Sequence, residues 1–246
     1  MASIEADMPT LLFVTEVAPY VEGSVYGPGP SGVHAVLPQV AVALKELGRL
    51  EGLELVVVDD VRHLEPSALA EVRVLALFTI GETPFSEDLR RSIESRWRAG
   101  HLSVLGLHSS SDACVGWPAY RELLGARFDG HPWTQTFEIE VVDRAHPATA
   151  ALGERWPWHD EVYLFKDLEP DVRVLLRLDP GPLDLSVPEA RIPEHGLPLA
   201  WCRHHNGASR SFYSALGHVA GAWERPDHLR FLHGALRWLL DREAAP

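Results

Sequence analysis

Four apolar runs of strand length, set among segments of helical period, constrain this chain more than any other feature. Leu11–Thr15 and Ser103–Leu107 are apolar at almost every position, as are Leu53–Val58 and Val72–Phe78. Continuous apolar runs of this length are expected of strands covered on both faces, which is the condition of a parallel sheet between helix layers. The segments between them carry the helices. Val33, Val36, Leu37, Val40 and Leu44 recur at helical spacing, with Ser31 as the expected N-cap and Gly48 as the expected stop. Ser86 is placed to cap a second helix that turns Leu89, Ile93 and Trp97 to one face and stops at Gly100. Strands alternating with helices predict βαβ units and a doubly wound sheet with helices on both faces.

The second half has a different texture. Thr136–Val142 alternates polar and apolar residues, and short strand patterns follow at Glu161–Phe165, Val172–Leu178, Leu197–Cys202 and Ser211–His218, with few helices between them. A last amphipathic helix is expected over about Asp227 to Asp241. No linker composition divides the halves. The expectation is a short tail, 1–10, and one domain, 11–242, whose mainly parallel core is extended by antiparallel strands.

Composition narrows the function classes. The chain of 246 residues has 35 acidic against 22 basic side chains, a formal charge of -13, and no Lys/Arg cluster, which argues against nucleic acid as a partner. Two cysteines, Cys114 and Cys202, are too few for a disulfide framework or a thiolate zinc site, and both are expected in the core. No apolar run has the length of a membrane helix, and Met1–Asp7 lacks the basic and apolar regions of a signal peptide, so a cytoplasmic protein with no membrane partner is expected. A homo-oligomer stays open.

The chemistry-bearing residues gather where the strand patterns end. Ser103–Leu107 runs straight into His108-Ser109-Ser110-Ser111-Asp112, and helix formers follow from Trp117. Strand, tight turn and helix is the geometry of a nucleophile elbow, here with His108 in place of a serine or cysteine. Ligands of open α/β sheets bind beyond the carboxyl ends of the strands. His218 likewise closes a strand pattern, Glu16 follows the first strand, and Glu161 begins a later one. Two imidazoles and one or two carboxylates suit either proton transfer or a divalent metal, zinc or similar. Asp112 belongs to this candidate catalytic set, with capping of the next helix as its structural alternative. The loop from Pro19 to Gly32, with Tyr20 and Tyr26, is long enough to be functional, and His34 follows it. His131 and Trp133 stand in a Gly/Pro turn whose aromatic and imidazole groups suit a sugar, as does the Ser109 hydroxyl. Asp143 with His146-Pro147-Ala148-Thr149 is a turn of structural type, and His204 and His205 must face opposite sides of a strand.

Taken in order, Gly106–Asp112, Leu123–Pro132, Asp143–Thr149, Asp160–Tyr163 and Tyr213–His218 resemble the motifs of the ThuA-like (trehalose utilisation) family, and the resemblance runs from about Leu11 to Leu240. It implies an α/β fold of the flavodoxin-like, class I glutamine amidotransferase-like type. The amidotransferase elbow holds a cysteine paired with a histidine after a later strand; here His108 takes the elbow and His218 resembles the later histidine. Without a thiol there, the chain is not expected to be a glutaminase. The resemblance points to a small-molecule sugar substrate, an oxidised (3-keto) glycoside, processed by hydrolysis, elimination or isomerisation. His108, His218, Glu161 and Asp112 would be the catalytic groups. Glu16, Tyr20, Tyr26, Ser109, His131 and Trp133 would contact substrate, and His34, His108, His218 and Glu16 are the candidate metal ligands. A non-catalytic sugar-binding or regulatory domain and a metal-dependent hydrolase of other substrates are the alternatives.

Overall fold

The structure is a computed structural model that describes residues 8–15, 35–205 and 209–242. The described chain contains eleven strands and four α-helices. In order these are β1 (Thr10–Val14), α1 (Leu37–Leu50), β2 (Glu54–Val58), β3 (Val72–Leu77), α2 (Glu87–Arg98), β4 (Ser103–Leu107), α3 (Pro118–Leu124), β5 (Arg127–Phe128), β6 (Trp133–Val141), β7 (Arg155–Val162), β8 (Phe165–Lys166), β9 (Arg173–Leu178), β10 (Leu197–His204), β11 (Arg210–Ser214) and α4 (Pro226–Leu239). Nine strands form one sheet in the order β2-β1-β3-β4-β11-β10-β9-β6-β7, and β5 pairs with β8 apart from it.

The first five strands of that order are parallel and the remaining pairings antiparallel. Their arrangement is the flavodoxin-like order with β11 in the fifth place. Period-two alternation divides the apolar runs between two layers. Leu11 and Phe13 of β1, with Leu105 and Leu107 of β4, pack against Val40 and Leu44 of α1 and Leu232 and Leu236 of α4. Leu12, Val14 and Val104 point the other way, to Leu89, Ile93 and Trp97 of α2 and Leu123 of α3. This is a mixed sheet flanked by helices and extended by antiparallel strands, as expected.

Several boundaries differ from the expected ones. The α1 helix continues through Gly48, which fits closely beside Leu11 and Leu53, and ends at Leu50; Ser31 lies outside the described residues. The strand expected over Ser211–His218 stops at Ser214, and Ala215–His218 turn away from the sheet. Glu161 does not start a strand: it is the penultimate residue of β7. Asp112 does not cap α3, which begins at Pro118 after Trp117 and has no side-chain cap; Asp112 instead closes a 3-10 turn, its carbonyl accepting the Gly81 N–H at 2.9 Å. The Ser86 hydroxyl does cap α2, accepting the Leu89 N–H at 3.2 Å.

Candidate functional site

The adjacency of β4 and β11 creates the site. Their register sets Leu107 beside Ser214, so the residues that follow, His108 and Ala215, leave the sheet side by side. His108 sits at φ +43°, a left-handed backbone that a non-glycine residue adopts only under constraint from its surroundings. The constraint is visible: Tyr213 Oη donates to the His108 carbonyl at 2.6 Å, and the Ser111 hydroxyl lies 2.8 Å from the same phenol. The elbow expected from the sequence is thus present, with an imidazole at its apex.

That imidazole is fully buried, and burial lowers its pKa from the ordinary histidine value, opposed by the negative charge of Asp160. Its Nδ1 is 2.8 Å from the Ala215 carbonyl, which can only accept, so Nδ1 carries the proton and Nε2 the lone pair. Nε2 faces Tyr163 Oη at 2.9 Å and Glu161 Oε2 at 3.6 Å. The same carboxylate oxygen is 3.5 Å from His218 Nδ1, and its partner Oε1 is 3.8 Å from His131 Nδ1. Glu161 is therefore ringed by three imidazoles.

Glu161 arrives from far away in the sheet order, β7 being the outermost strand beyond β6. What joins it to the site is its neighbour Asp160, whose side chain is completely buried. Asp160 Oδ2 accepts the Gly217 N–H at 2.7 Å and the Trp158 indole N–H at 2.9 Å, while Oδ1 accepts the N–H groups of His218 at 3.2 Å and Glu161 at 3.0 Å. Gly217 takes φ +119°, and a Cβ there would lie 2.7 Å from the Trp223 ring, so only glycine fits this turn. These bonds pin the end of β7 to the turn that follows β11.

His108, Glu161 and His218 present one ligand atom each, all within 4.8 Å of one another. Two imidazoles and a carboxylate suit a borderline divalent ion of the zinc type, with ligand positions left for water or substrate. The Nδ1–H of His108 on a backbone carbonyl is the outer contact that commonly orients a ligating histidine. Buried His218 Nδ1 has no hydrogen-bond partner among the described residues, which accords with a lone pair kept for a ligand or a proton.

The remaining sequence-predicted residues fall into three groups. His131 joins the cluster from the loop before β6 and lies face to face with Tyr163, ring centroids 5.9 Å apart. Ser109 is buried in the turn beside His108, its hydroxyl without a partner among the described residues. Trp133 is not presented as a sugar platform: it is buried in the core, its indole N–H donating to the Asp184 carbonyl at 2.9 Å. Asp112 is not among the clustered ligand groups. Glu16, Tyr20, Tyr26 and His34 lie outside the described residues. Sequence reasoning gave no role to Asp160 or Tyr163, although both stand in the Asp160–Tyr163 motif; their signal was proximity to Glu161.

Comparison with known proteins agrees with this arrangement. A ThuA-like protein of Bacteroides uniformis ATCC 8492 superposes with a TM-score of 0.72 at 22% identity, covering 95% of this chain and 93% of its own. A ThuA-like protein of Parabacteroides merdae ATCC 43184 gives 0.67 at 14% identity, with 96% and 93% covered. A cytoplasmic protein of Salmonella typhimurium gives 0.60 at 13% identity, with 94% and 98% covered. At these identities the likeness is one of fold. None of the curated proteins matches the chain. The sequence model of the ThuA family, described as trehalose utilisation, matches residues 27–239, a span that contains His108, Glu161 and His218 together, and the chain belongs to that family.

Proposed function

We propose that this protein is an enzyme of carbohydrate metabolism that acts on an oxidised (3-keto) glycoside at the His108–Glu161–His218 cluster. One observation carries the reading: two imidazoles that follow the adjacent strands β4 and β11 and a carboxylate from the outermost strand β7 converge at the carboxyl end of the parallel strands with ligand atoms within 4.8 Å. Membership of the trehalose-utilisation family supports a sugar as the substrate class.

The chemistry follows from the ketone. A carbonyl at C3 acidifies the C2–H bond, so an imidazole base, His218 with its unpartnered Nδ1, can take that proton and leave the electron pair as an enolate. Collapse of the enolate breaks the C1–O bond, and the departing alkoxide recovers a proton from the site. Addition of water across the resulting double bond completes a net hydrolysis; without it the product is the unsaturated ketone. Glu161, within 3.5 Å of His218 Nδ1, orients that ring and stabilises its protonated form. In the metal-assisted alternative His218 is a ligand rather than the base, and a divalent ion held by His108, His218 and Glu161 would supply Lewis-acid polarisation of the ketone.

The test is consumption of a 3-keto-glucoside by purified protein, with and without chelator. Turnover is expected, and His218→Ala should reduce it by roughly 100-fold or more, the usual contribution of a positioned acid/base. Loss on chelation and recovery with one divalent ion assigns the metal-assisted route, and indifference to chelator leaves the imidazoles as metal-free acid/base groups. Sugar binding without turnover in any redox form would replace the reading with a binding domain.

A further inference from the structure

His108 has no nitrogen to spare. Its Nδ1–H is committed to the Ala215 carbonyl at 2.8 Å, and its Nε2 accepts the Tyr163 O–H across 2.9 Å. Neither group of that pair has a free proton for a departing sugar oxygen. Asp160 is a carboxylate ringed by donors, and the Ser109 hydroxyl is buried in the turn beside His108. His131 is different. It stands across Glu161 from His218, its Nδ1 3.8 Å from Oε1 where His218 Nδ1 is 3.5 Å from Oε2. One carboxylate thus faces two imidazoles, one on each oxygen. The His131 side chain is 38% exposed, whereas that of His108 is sealed from solvent. Its ring is held by its faces, Tyr163 stacked at 5.9 Å and Phe128 tilted at 5.6 Å between centroids. Its Nε2 has no hydrogen-bond partner among the described residues.

We propose that His131 is the general acid of this site, protonating the oxygen that leaves C1 while His218 takes the proton from C2. The inference rests on the 3-keto-glycoside reading and on its metal-free route. His218 Nδ1 accepts the C2 proton, and the C–H electron pair passes through the enolate to become the C1–C2 double bond. The C1–O bond breaks with its pair on oxygen, and that oxygen takes the Nε2 proton of the His131 imidazolium. Positive charge thereby passes from one side of Glu161 to the other, so the carboxylate faces one imidazolium before the step and one after it. Hydration runs the exchange in reverse. Water gives a proton to His131 as its oxygen joins C1, and His218 returns its proton to C2. Both rings are then restored for the next substrate.

Leaving-group dependence reads out this role. His131→Ala should lose roughly 100-fold on methyl 3-keto-glucoside, whose oxygen needs a proton to depart, and less than about 5-fold on the 4-nitrophenyl 3-keto-glucoside, whose phenolate departs without one. His218→Ala should lose on both alike, since both must give up the C2 proton. Deuterium exchange at C2 in heavy water, followed by NMR, isolates the base step. His131→Ala should keep that exchange, which also shows that it has folded, and His218→Ala should lose it. A side chain that merely shaped the site would cost both substrates and the exchange together. Equal losses on the two glycosides, a His131→Ala protein without exchange, or turnover abolished by chelator would each overturn the acid role while leaving the 3-keto-glycoside reading in place. An unaltered protein that consumes neither glycoside overturns that reading itself, and the acid role with it.

Discussion

Four N–H groups converge on the buried carboxylate of Asp160, two from the turn that carries His218, one from Glu161 and one from Trp158. An anion so surrounded is satisfied without a cation, and its removal leaves donors stranded in the core. Asp160→Asn puts an amide NH2 against at least one pair of those donors. Each buried donor left unmet costs about 1–3 kcal/mol, so urea denaturation should show a loss of about 2–4 kcal/mol. Metal affinity and turnover should fall together, because the His218 turn loses its anchor; a variant as stable as its parent would remove Asp160 from that role. His108 and His218 were legible because each follows an apolar run, where an α/β sheet keeps its ligands. Asp160 and Tyr163 were not, because their importance is a matter of partners: one is satisfied by backbone groups 57 residues away, the other by a ring 55 residues away.

Elements with a local cause were readable, and elements with a distant cause were not. The Ser86 cap and the Leu89–Ile93–Trp97 face of α2 follow from short-range rules and appear as expected. The β2 run is as apolar as the others, yet it forms the sheet's edge, with Val57 47% exposed, and nothing in the run itself distinguishes edge from centre. The return of β7 to the site and the end of β11 at Ser214 are likewise set by the fold around them. Packing of α4 is another such case. His146 and its turn dock on this helix, the ring 5.1 Å from Trp238, and the helix makes room with Gly234, where a Cβ would meet the Pro147 carbonyl oxygen at 2.3 Å. Helix propensity alone says that Gly234→Ala should stabilise by about 1 kcal/mol. The backbone contact reverses the sign: overpacking should cost about 3 kcal/mol and lower the melting temperature by several degrees. An alanine variant that melts at or above the parent temperature would mean that the turn moves aside freely.

Across the whole molecule, buried histidines make the fold sensitive to mild acid. Burial holds His228 down to about 4, and it holds His146 and His205 down to about 4 as well. In the unfolded chain each titrates near 6.5, so between about pH 6.5 and 4 the unfolded state binds more protons than the folded one. Stability is therefore fully present above about pH 6.5 and declines as pH falls through that window, by about 1.4 kcal/mol per pH unit for each such group at most. His228 is the cleanest of the three to test, being wholly enclosed by Trp158, Trp223 and Phe231, whereas His205 is only partly buried. The His228 Nδ1–H donates to the Ala222 carbonyl at 3.0 Å, and its Nε2 is buried without a partner among the described residues. His228→Asn can keep that donor while removing the titration. Urea denaturation at pH 7 and pH 5 should then show the parent losing about 2 kcal/mol more than the variant over those two units, the cost of protonating one sealed imidazole. The formal charge of -13 works in the opposite direction, since acid relieves the repulsion among carboxylates, but that contribution is common to both proteins and cancels in the comparison. Parallel losses in the two would place the acid sensitivity in groups other than His228.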